Sequence, residues 1–193
     1  MTPQDIPAAV ALQRACFPAP FPENLLWKAE HLEAHLEQFP QGQLVAEHNG
    51  QIVASASSLI IAEDNWQAHR DWDTTVGGPF LANHDPHGTT LYGVDISVHP
   101  EYRGQGVGRK LYEARFELAK TLKRYGTACR IPDYSKWGKG TVEQYVEAVA
   151  RQEATDRTLS PLLRYGLTLR GVIHGYMDDE ESGNAAALIE RLS

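Results

Sequence analysis

The stretch VHPEYRGQGVGRKL, residues 98–111, decides how this sequence is interpreted. It follows an alternating β-branched run, Val94, Ile96 and Val98, which is typical of a strand, and Pro100 ends that run. An apolar stripe with helical spacing comes after it. A glycine turn between a strand and a helix presents backbone N–H groups and the positive end of the helix dipole. We therefore predict that this turn binds a pyrophosphate.

Two phosphate-binding motifs of other proteins do not match the turn. A Walker A loop ends in Gly-Lys-Ser or Gly-Lys-Thr, whereas Lys110 is followed by Leu111. A dinucleotide-binding fingerprint has the spacing Gly-x-Gly-x-x-Gly, whereas Gly104, Gly106 and Gly108 are evenly spaced. The pattern that fits is Arg-x-x-Gly-x-Gly, with the arginine at position 103.

The predicted elements on either side of the turn mix helices and strands. Asn49-Gly50 between two apolar, β-branched runs is typical of a hairpin, because both turn residues need a positive φ. Pro18, Pro20 and Pro22 are expected to break the chain after the first helix. Helices are predicted over residues 3–16, 24–39, 108–125, 141–152 and 159–165, and strands over 43–48, 51–60, 91–98, 127–131, 167–173 and 185–192.

No linker or repeat divides the chain, so we predict a single domain over residues 1–193. Residues 62–90 are predicted to form an irregular insertion that projects from the sheet, with Trp66 and Trp72 in a small apolar cluster. The histidines of this segment are interpreted as solvated loop residues, and no metal site is expected.

Composition is typical of a soluble globular protein and argues against general nucleic-acid binding. Of 193 residues, 42% are apolar and 22% are charged, and 18 basic against 25 acidic residues give a formal charge of −7. No apolar run is long enough to cross a membrane, and the N-terminus lacks a signal-peptide pattern. Cys16 and Cys129 are too few for a disulfide framework. We expect a cytoplasmic location, with no nucleic-acid or membrane partner.

At Arg103, Gly106 and Gly108 the chain resembles the GNAT superfamily of N-acetyltransferases, and the predicted order of elements looks like the family's over nearly the whole chain. The resemblance implies an α/β (α+β) fold with a mixed, largely antiparallel central sheet, a splayed strand pair and flanking helices. Family members often pair through their closing strands, which favours a homodimer.

Three segments look like a narrower group, the acetyltransferase-type domain that some bacteria fuse to a nitrilase-like hydrolase. They are residues 95–112, the pattern Arg130-Ile131-Pro132-x-Tyr134, and the run DDEES at 178–182. From composition alone, the four acids of that run are interpreted as a solvated turn.

The GNAT resemblance implies binding of acetyl-CoA, or another acyl-CoA, along two segments. The backbone of Ile96, Ser97 and Val98 would pair with the pantetheine arm. The pyrophosphate would lie on the loop formed by Arg103, Gly104, Gln105, Gly106, Val107, Gly108 and Arg109. The implied reaction is direct attack of a primary amine, on a small molecule or a peptide, on the thioester. The alternative is a non-catalytic or weakly catalytic acyl-CoA-binding or sensor module.

Two candidate catalytic residues lie on the motif strand. Some family members carry Glu or His six residues before the position that matches Val98, where this chain has Tyr92. With an ordinary pKa near ~10, a tyrosine is a poor base but can act as an acid. Asp95 is the nearest carboxylate, and a bulge in the strand would decide which face of the sheet it takes.

The proton donor for the leaving thiolate is a departure from the family pattern. Many members carry a Tyr four residues before a late glycine, and with Gly166 in that place the matching residue is Leu162. Tyr134 and Tyr165 are the remaining candidates. The absence of a tyrosine at position 162 favours the acyl-CoA-binding module over the acetyltransferase. The glycine loop is compatible with either function.

Overall fold

The computed structural model describes residues 1–19, 21 and 23–193, without the side chain of Asn24. The predicted chain breaks at Pro20 and Pro22 lie outside the described residues. In the described part, the strands are β1 Gln43–His48, β2 Gln51–Ile61, β3 Thr90–Val98, β4 Arg124–Arg130, β5 Thr168–His174 and β6 Ala185–Leu192. The α-helices are α1 Ile6–Cys16, α2 Ala29–Gln38, α3 Glu63–Ala68, α4 Trp72–Val76, α5 Val107–Ala119, α6 Tyr134–Trp137, α7 Val142–Ala150 and α8 Leu159–Arg164.

The strands form one sheet in the order β1-β2-β3-β4-β6-β5. Every neighbouring pair is antiparallel except β3 and β4. These two parallel strands pair only from Thr90–Arg124 to Tyr92–Gly126, and beyond that point they separate. The predicted mixed, largely antiparallel sheet with a splayed strand pair is confirmed.

The described residues form four apolar clusters, and the two larger ones lie on opposite faces of the sheet. Leu91 and Tyr92 are consecutive on β3 and belong to different cores, because neighbouring side chains of a strand point to opposite faces. Tyr125 and Tyr145 lie in the core under α5, α7 and α8. Trp66 lies in the other core, which is covered by α3 and α4. The layers of helices therefore leave the splayed ends of β3 and β4 as the main opening in the sheet.

Helix α5 ends earlier than its apolar spacing predicted. It stops at Ala119 instead of residue 125, and β4 begins at Arg124 instead of residue 127. Arg124 and Tyr125 pair with β6, and Tyr125 is almost fully buried. Strand pairing and burial override the helical periodicity of this segment. The second helix is also shorter than predicted, because α2 begins at Ala29.

Residues 62–90 do not project from the sheet as an irregular insertion. They contain α3 and α4, and Trp66, Val76 and Leu81 are buried in the core that includes side chains of β2 and β3. The segment is a structural cover for one face of the sheet. Among the described residues, no helix is both long and apolar enough to cross a membrane.

Candidate active site

The two splayed strands separate at a bulge in β3. The register against β2 shifts between Ser57 and Ser58, which oppose Asp95 and Gly93 respectively. The Thr127 hydroxyl on β4 donates a hydrogen bond of 2.7 Å to the Gly93 carbonyl, directly after the last strand pair. The bulge decides the direction of Asp95, as expected, and the carboxylate lines a cavity at the splay.

A buried arginine on α5 fixes this bulge. The Arg115 guanidinium is 1% exposed and donates to the carbonyls of Ser57, at 2.7 Å, and of Asp95. Its Nε also donates to the Ser58 hydroxyl at 3.1 Å. Arg115 therefore holds the backbone that carries Asp95, a role that its place beside the apolar stripe of the helix did not predict.

Beyond the bulge, β3 has an edge without a partner strand. The His99 N–H donates to the Val53 carbonyl on β2 at 2.9 Å. In an antiparallel pair, every second residue points its N–H and C=O groups toward the partner strand. The backbone groups of Ile96 and Val98 therefore point away from β2. Ser97 lies between them with its side chain buried. The N–H groups of Ile96 and Val98 on this edge can pair with an extended ligand, which fits the expected pantetheine contact, while Arg103 occupies the Val98 carbonyl.

A cavity of 320 Å³ lies beside the bulge, at the start of this edge, where Val94 and Asp95 line it, and we call it the Asp95 cavity. Its walls are mainly apolar, and they include five aromatic residues, Phe17, Phe21, Trp27, Trp72 and Tyr176. Its polar lining consists of two carboxylates, one arginine and the buried amide of Gln13. Such a site suits a small ligand with few polar groups.

Asp95 keeps part of its surface accessible to the cavity while the protein encloses the rest. Burial raises the pKa of Asp95, against the opposing effects of the Arg115 charge and of hydrogen-bond donors on Trp27, Ser97 and Gln13. The Ser97 hydroxyl donates to the carboxylate at 3.4 Å. A carboxylate with a raised pKa can accept a proton more readily than an ordinary aspartate.

Trp27 enters the cavity wall from the segment before α2. Its backbone N–H donates to the Gln13 side-chain oxygen, which ties this segment to α1. Its indole N–H is buried, and its approach to Asp95 falls short of normal hydrogen-bond geometry. The same indole lies close enough to Asp95 to lower the pKa of that carboxyl.

Tyr92 does not line the Asp95 cavity. Its hydroxyl lies 2.9 Å from the hydroxyl of Tyr176, which does line it, and burial raises the pKa of both phenols. Tyr92 is therefore connected to the cavity only through Tyr176. Tyr176 could not be predicted as a site residue, because its local sequence signal is no more than its position after Gly175, past the end of β5.

The glycine loop is open and uncapped. Gly104 and Gly106 have φ angles of 75° and 82°, and a Cβ at either position would point into open space. Helix α5 begins at Val107, and no side chain caps its N-terminus. Free N–H groups beside two left-handed glycines fit a pyrophosphate, as the sequence predicted, and this cofactor assignment stays a prediction.

The polar side chains of the loop mostly bind the protein itself. Arg103 Nε donates to the Val98 carbonyl at 3.1 Å, and Gln105 donates to the Glu101 carbonyl at 2.8 Å. Arg109 pairs with Glu113 at 2.9 Å on the exposed side of α5. Arg103 and Gln105 thus shape the loop, and only Arg109 is free to turn toward a phosphate by giving up an exposed pair.

A groove of 1,080 Å³ runs from Arg103, the first residue of the loop, to the Asp95 cavity. Arg103 lies in its wall, and Phe17, Phe21 and Arg130 line both the groove and the cavity. Three arginines and four acids line the groove, so the loop, and not the groove, offers the site for a pyrophosphate. An acyl-CoA on these features would place its pyrophosphate on the loop, its pantetheine arm along the open edge and its acyl end at the Asp95 cavity.

The acidic run after β5 is not a solvated turn throughout. Asp179 is 9% exposed and accepts two hydrogen bonds of 2.6 Å from Arg130 at the end of β4. Glu181 pairs with both Arg130 and Arg157. The Ser182 hydroxyl accepts from the backbone N–H of Ile131 at 3.0 Å. Two of the three segments that indicated the narrower resemblance therefore pack on each other at the mouth of the groove.

The third candidate catalytic residue, Tyr134, lies elsewhere. Its ring packs on Tyr145 at 5.6 Å and against Gly183, and it lines neither the cavity nor the groove. Leu162 is buried in the core, and Tyr165 packs on Tyr112 at 5.9 Å. The structure therefore brings Asp95, but not Tyr134, to the splay.

Other histidines and acids form no further site. Among the described residues, no group of three or more His, Cys, Asp or Glu side chains could hold a metal ion. His84, interpreted from sequence as solvated, is partly buried, because its ring stacks on Phe39 at 4.9 Å and accepts from the Ile60 N–H.

Comparison with protein families gives a match over residues 6–135 to the model described as the acetyltransferase (GNAT) family. Two curated relatives from Bacillus subtilis are each 40% identical to the chain. The chain spans 85% of the uncharacterized N-acetyltransferase YkwB and only 36% of the probable hydrolase YhcX. The second relative supports the expected resemblance to a domain that some proteins fuse to a hydrolase.

Solved structures share the fold over the whole chain. The GNAT-like decarboxylase GphF, in complex with isobutyryl-CoA, has a TM-score of 0.80 and 25% identity, with 96% of that chain covered. The loading GNATL domain of CurA from Lyngbya majuscula has a TM-score of 0.80 and 20% identity, with 94% covered. An aminoglycoside 6'-N-acetyltransferase complexed with coenzyme A has a TM-score of 0.62 and 12% identity, with 92% covered.

Proposed function

Because the chain belongs to the acetyltransferase (GNAT) family, we propose that it transfers an acetyl group from acetyl-CoA to a primary amine of a small molecule or peptide. One observation carries the proposal: Asp95, a carboxylate with a raised pKa, lines a cavity at the open edge of β3, which a groove connects to the glycine loop. Acetyl-CoA supplies the activated acyl group when it is bound.

Asp95 is the general base in this proposal. An incoming ammonium must lose a proton before its nitrogen can attack, and the Asp95 carboxylate faces the space that the amine would occupy. Arg115 keeps the Asp95 backbone in place, so the base is held on a rigid strand and not on a loop. The N–H groups on the open edge of β3, at Ile96 and Val98, are the donors that can polarise a carbonyl there.

The proton donor for the leaving thiolate is assigned to Tyr176 in place of Tyr134. Tyr176 lines the Asp95 cavity, and its hydroxyl is paired with that of Tyr92. A phenol with a raised pKa stays protonated at neutral pH and can donate. Tyr92 would then act by holding the Tyr176 hydroxyl in position.

A second candidate function is acyl-CoA binding with little or no turnover. It is favoured by Leu162, which is buried in the core where many family members carry the tyrosine acid. The likeness to a GNAT-like decarboxylase adds a chemical variant, loss of CO2 from a carboxylated acyl-CoA without any amine.

The test combines binding and turnover on the purified protein. Thermal unfolding and calorimetry with CoA and acetyl-CoA should show binding, and ligand at 100 times its dissociation constant adds about 2.7 kcal/mol of stability. Release of the CoA thiol is then followed with a panel of amines. Binding without thiol release would favour the module, and CO2 release from malonyl-CoA without amine would favour the decarboxylase. Absence of binding would contradict all three.

A further inference from the structure

The Asp95 cavity is small for an acceptor site. Its 320 Å³ lies at the lower end of the roughly 300–1,000 Å³ that is usual for small-molecule pockets. An engineered apolar cavity of about 150 Å³ holds one benzene molecule. The Asp95 cavity therefore has room for one aromatic ring with a short chain.

The walls of the cavity suit an aromatic or other apolar body. The rings of Trp27 and Trp72 lie 6.1 Å apart at an angle of 37°, and Phe17 and Tyr176 complete the aromatic lining. Such rings bury apolar surface and attract the positive end of a ligand through their faces. A polyamine, which carries several charges along its whole length, would have to desolvate those charges against these walls.

The polar end of the cavity selects a cation. Asp95 is the carboxylate on β3, and donors on Trp27, Ser97 and Gln13 act to keep its charged form available. The Ser97 hydroxyl donates to the Asp95 carboxylate over a long 3.4 Å, so the carboxylate oxygens keep capacity to accept hydrogen bonds from a ligand. An ammonium group provides donors and a positive charge for this carboxylate.

Building on the proposed function, we propose that the acceptor is a small primary amine with an apolar body the size of one aromatic ring, seated in the Asp95 cavity with its nitrogen at Asp95. This acceptor is preferred over a polyamine, whose charges the apolar walls disfavour, and over a peptide, whose chain would extend beyond the cavity. No covalent bond forms or breaks when the amine binds.

Binding of the amine is tested without acetyl-CoA, so that recognition is measured apart from catalysis. 2-Phenylethylamine is titrated while tryptophan fluorescence and calorimetry are followed, because Trp27 and Trp72 lie in the cavity wall. Saturable binding is expected. The neutral analogue 2-phenylethanol should bind about 10- to 100-fold more weakly, because it lacks the charge-assisted hydrogen bond. Equal binding of the two, or tighter binding of spermidine or a tripeptide, would overturn the inference.

Two variants locate the site. Asp95→Asn should remove the preference for the amine over the alcohol. Ala128→Leu, on the β4 wall, should fill the cavity and abolish amine binding while CoA binding and the unfolding temperature are retained. Turnover of spermidine or the tripeptide, but not of 2-phenylethylamine, would contradict the inference and leave the proposed function intact. CoA binding with no turnover of any amine would instead contradict the proposed function.

Discussion

Arg130 and Asp179 form two parallel hydrogen bonds of 2.6 Å that tie the end of β4 to the loop between β5 and β6. Asp179 is nearly buried and Arg130 is about one-third exposed at its side chain, 7% and 29% respectively. Burial raises the pKa of Asp179, but hydrogen bonds from Arg130 and Ser182 outweigh it and lower that pKa below its ordinary value. The pair closes one side of the splay, since Arg130 lines both the cavity and the groove.

Asp179→Asn should lower the free energy of unfolding by about 2 kcal/mol, because Arg130 then loses a bidentate acceptor in a partly buried position. The stability from Asp179 is present above the ordinary carboxyl pKa and is lost as the pH falls below it. Urea unfolding at pH 7 and pH 3 measures both effects. Glu181→Gln is the matched control, since Glu181 is half exposed and should contribute less than about 1 kcal/mol. An equal loss of unfolding free energy in both variants would contradict a special contribution of the Arg130–Asp179 pair.

Asp95→Asn should lower kcat with a responsive amine by about 10²- to 10⁴-fold, because the amine then has no base in the cavity. CoA affinity should stay close to that of the wild type. In the wild type, kcat/KM should rise as the pH rises through the raised pKa of Asp95, since only the ionised carboxylate accepts a proton. Steady-state rates across pH measure this.

Asp64→Asn is the control for Asp95, because Asp64 is an exposed carboxylate on α3 that does not line the cavity. It should leave the rate and its pH profile close to those of the wild type. Tyr92→Phe should also lower turnover while CoA affinity is unchanged, since it removes the partner of the Tyr176 hydroxyl. Unchanged rates in both Asp95→Asn and Tyr92→Phe would remove these residues from the mechanism.

Features governed by local chemistry could be predicted from the sequence. The Asn49-Gly50 turn predicts the hairpin, and the observed strands Gln43–His48 and Gln51–Ile61 confirm it, with both turn residues at positive φ. The helix predicted over residues 141–152 is α7, and the Thr141 hydroxyl caps it by accepting from the Gln144 N–H. The glycine turn, likewise, leads from β3 into α5 as its residues indicated.

Features that depend on contacts between distant segments could not be predicted in the same way. The tyrosine at 125 continues a helical spacing, yet pairing with β6 places it in a strand. Trp27 and Tyr176 are far apart in sequence and meet only in the cavity wall. Asp179 looks like part of a solvated run until Arg130 is placed beside it. In each case burial and partner geometry outweigh local composition.

Gly106→Asp should abolish CoA binding while the fold is retained, because a carboxylate would occupy the position expected for a phosphate. The glycine has a φ of 82°, so part of the effect on stability is backbone strain. Gly138→Asp is a matched control for that strain, since Gly138 has a φ of 69° at the end of α6 and lies outside the loop. Calorimetry should show normal CoA binding for Gly138→Asp and none for Gly106→Asp. Normal CoA binding by Gly106→Asp would contradict the proposal that this loop binds the pyrophosphate.

His35 should make the protein sensitive to mild acid. Burial lowers the pKa of His35 from 6.5 to about 4, although its ring lies 2.8 Å from the Pro79 carbonyl. The unfolded chain therefore binds a proton at a higher pH than the folded chain. The neutral, buried His35 therefore contributes about 3 kcal/mol to the free energy of unfolding above pH 6.5. This contribution is lost as the pH falls from 6.5 toward 4.

His35→Gln keeps a donor for the Pro79 carbonyl and removes this titration. Its free energy of unfolding should vary less between pH 6.5 and pH 4 than that of the wild type, as measured by urea unfolding at each pH. The control substitution His48→Gln, at an exposed position, should leave the change in the free energy of unfolding between pH 6.5 and pH 4 as it is in the wild type. The same acid dependence in His35→Gln as in the wild type would show that other groups destabilise the fold in mild acid.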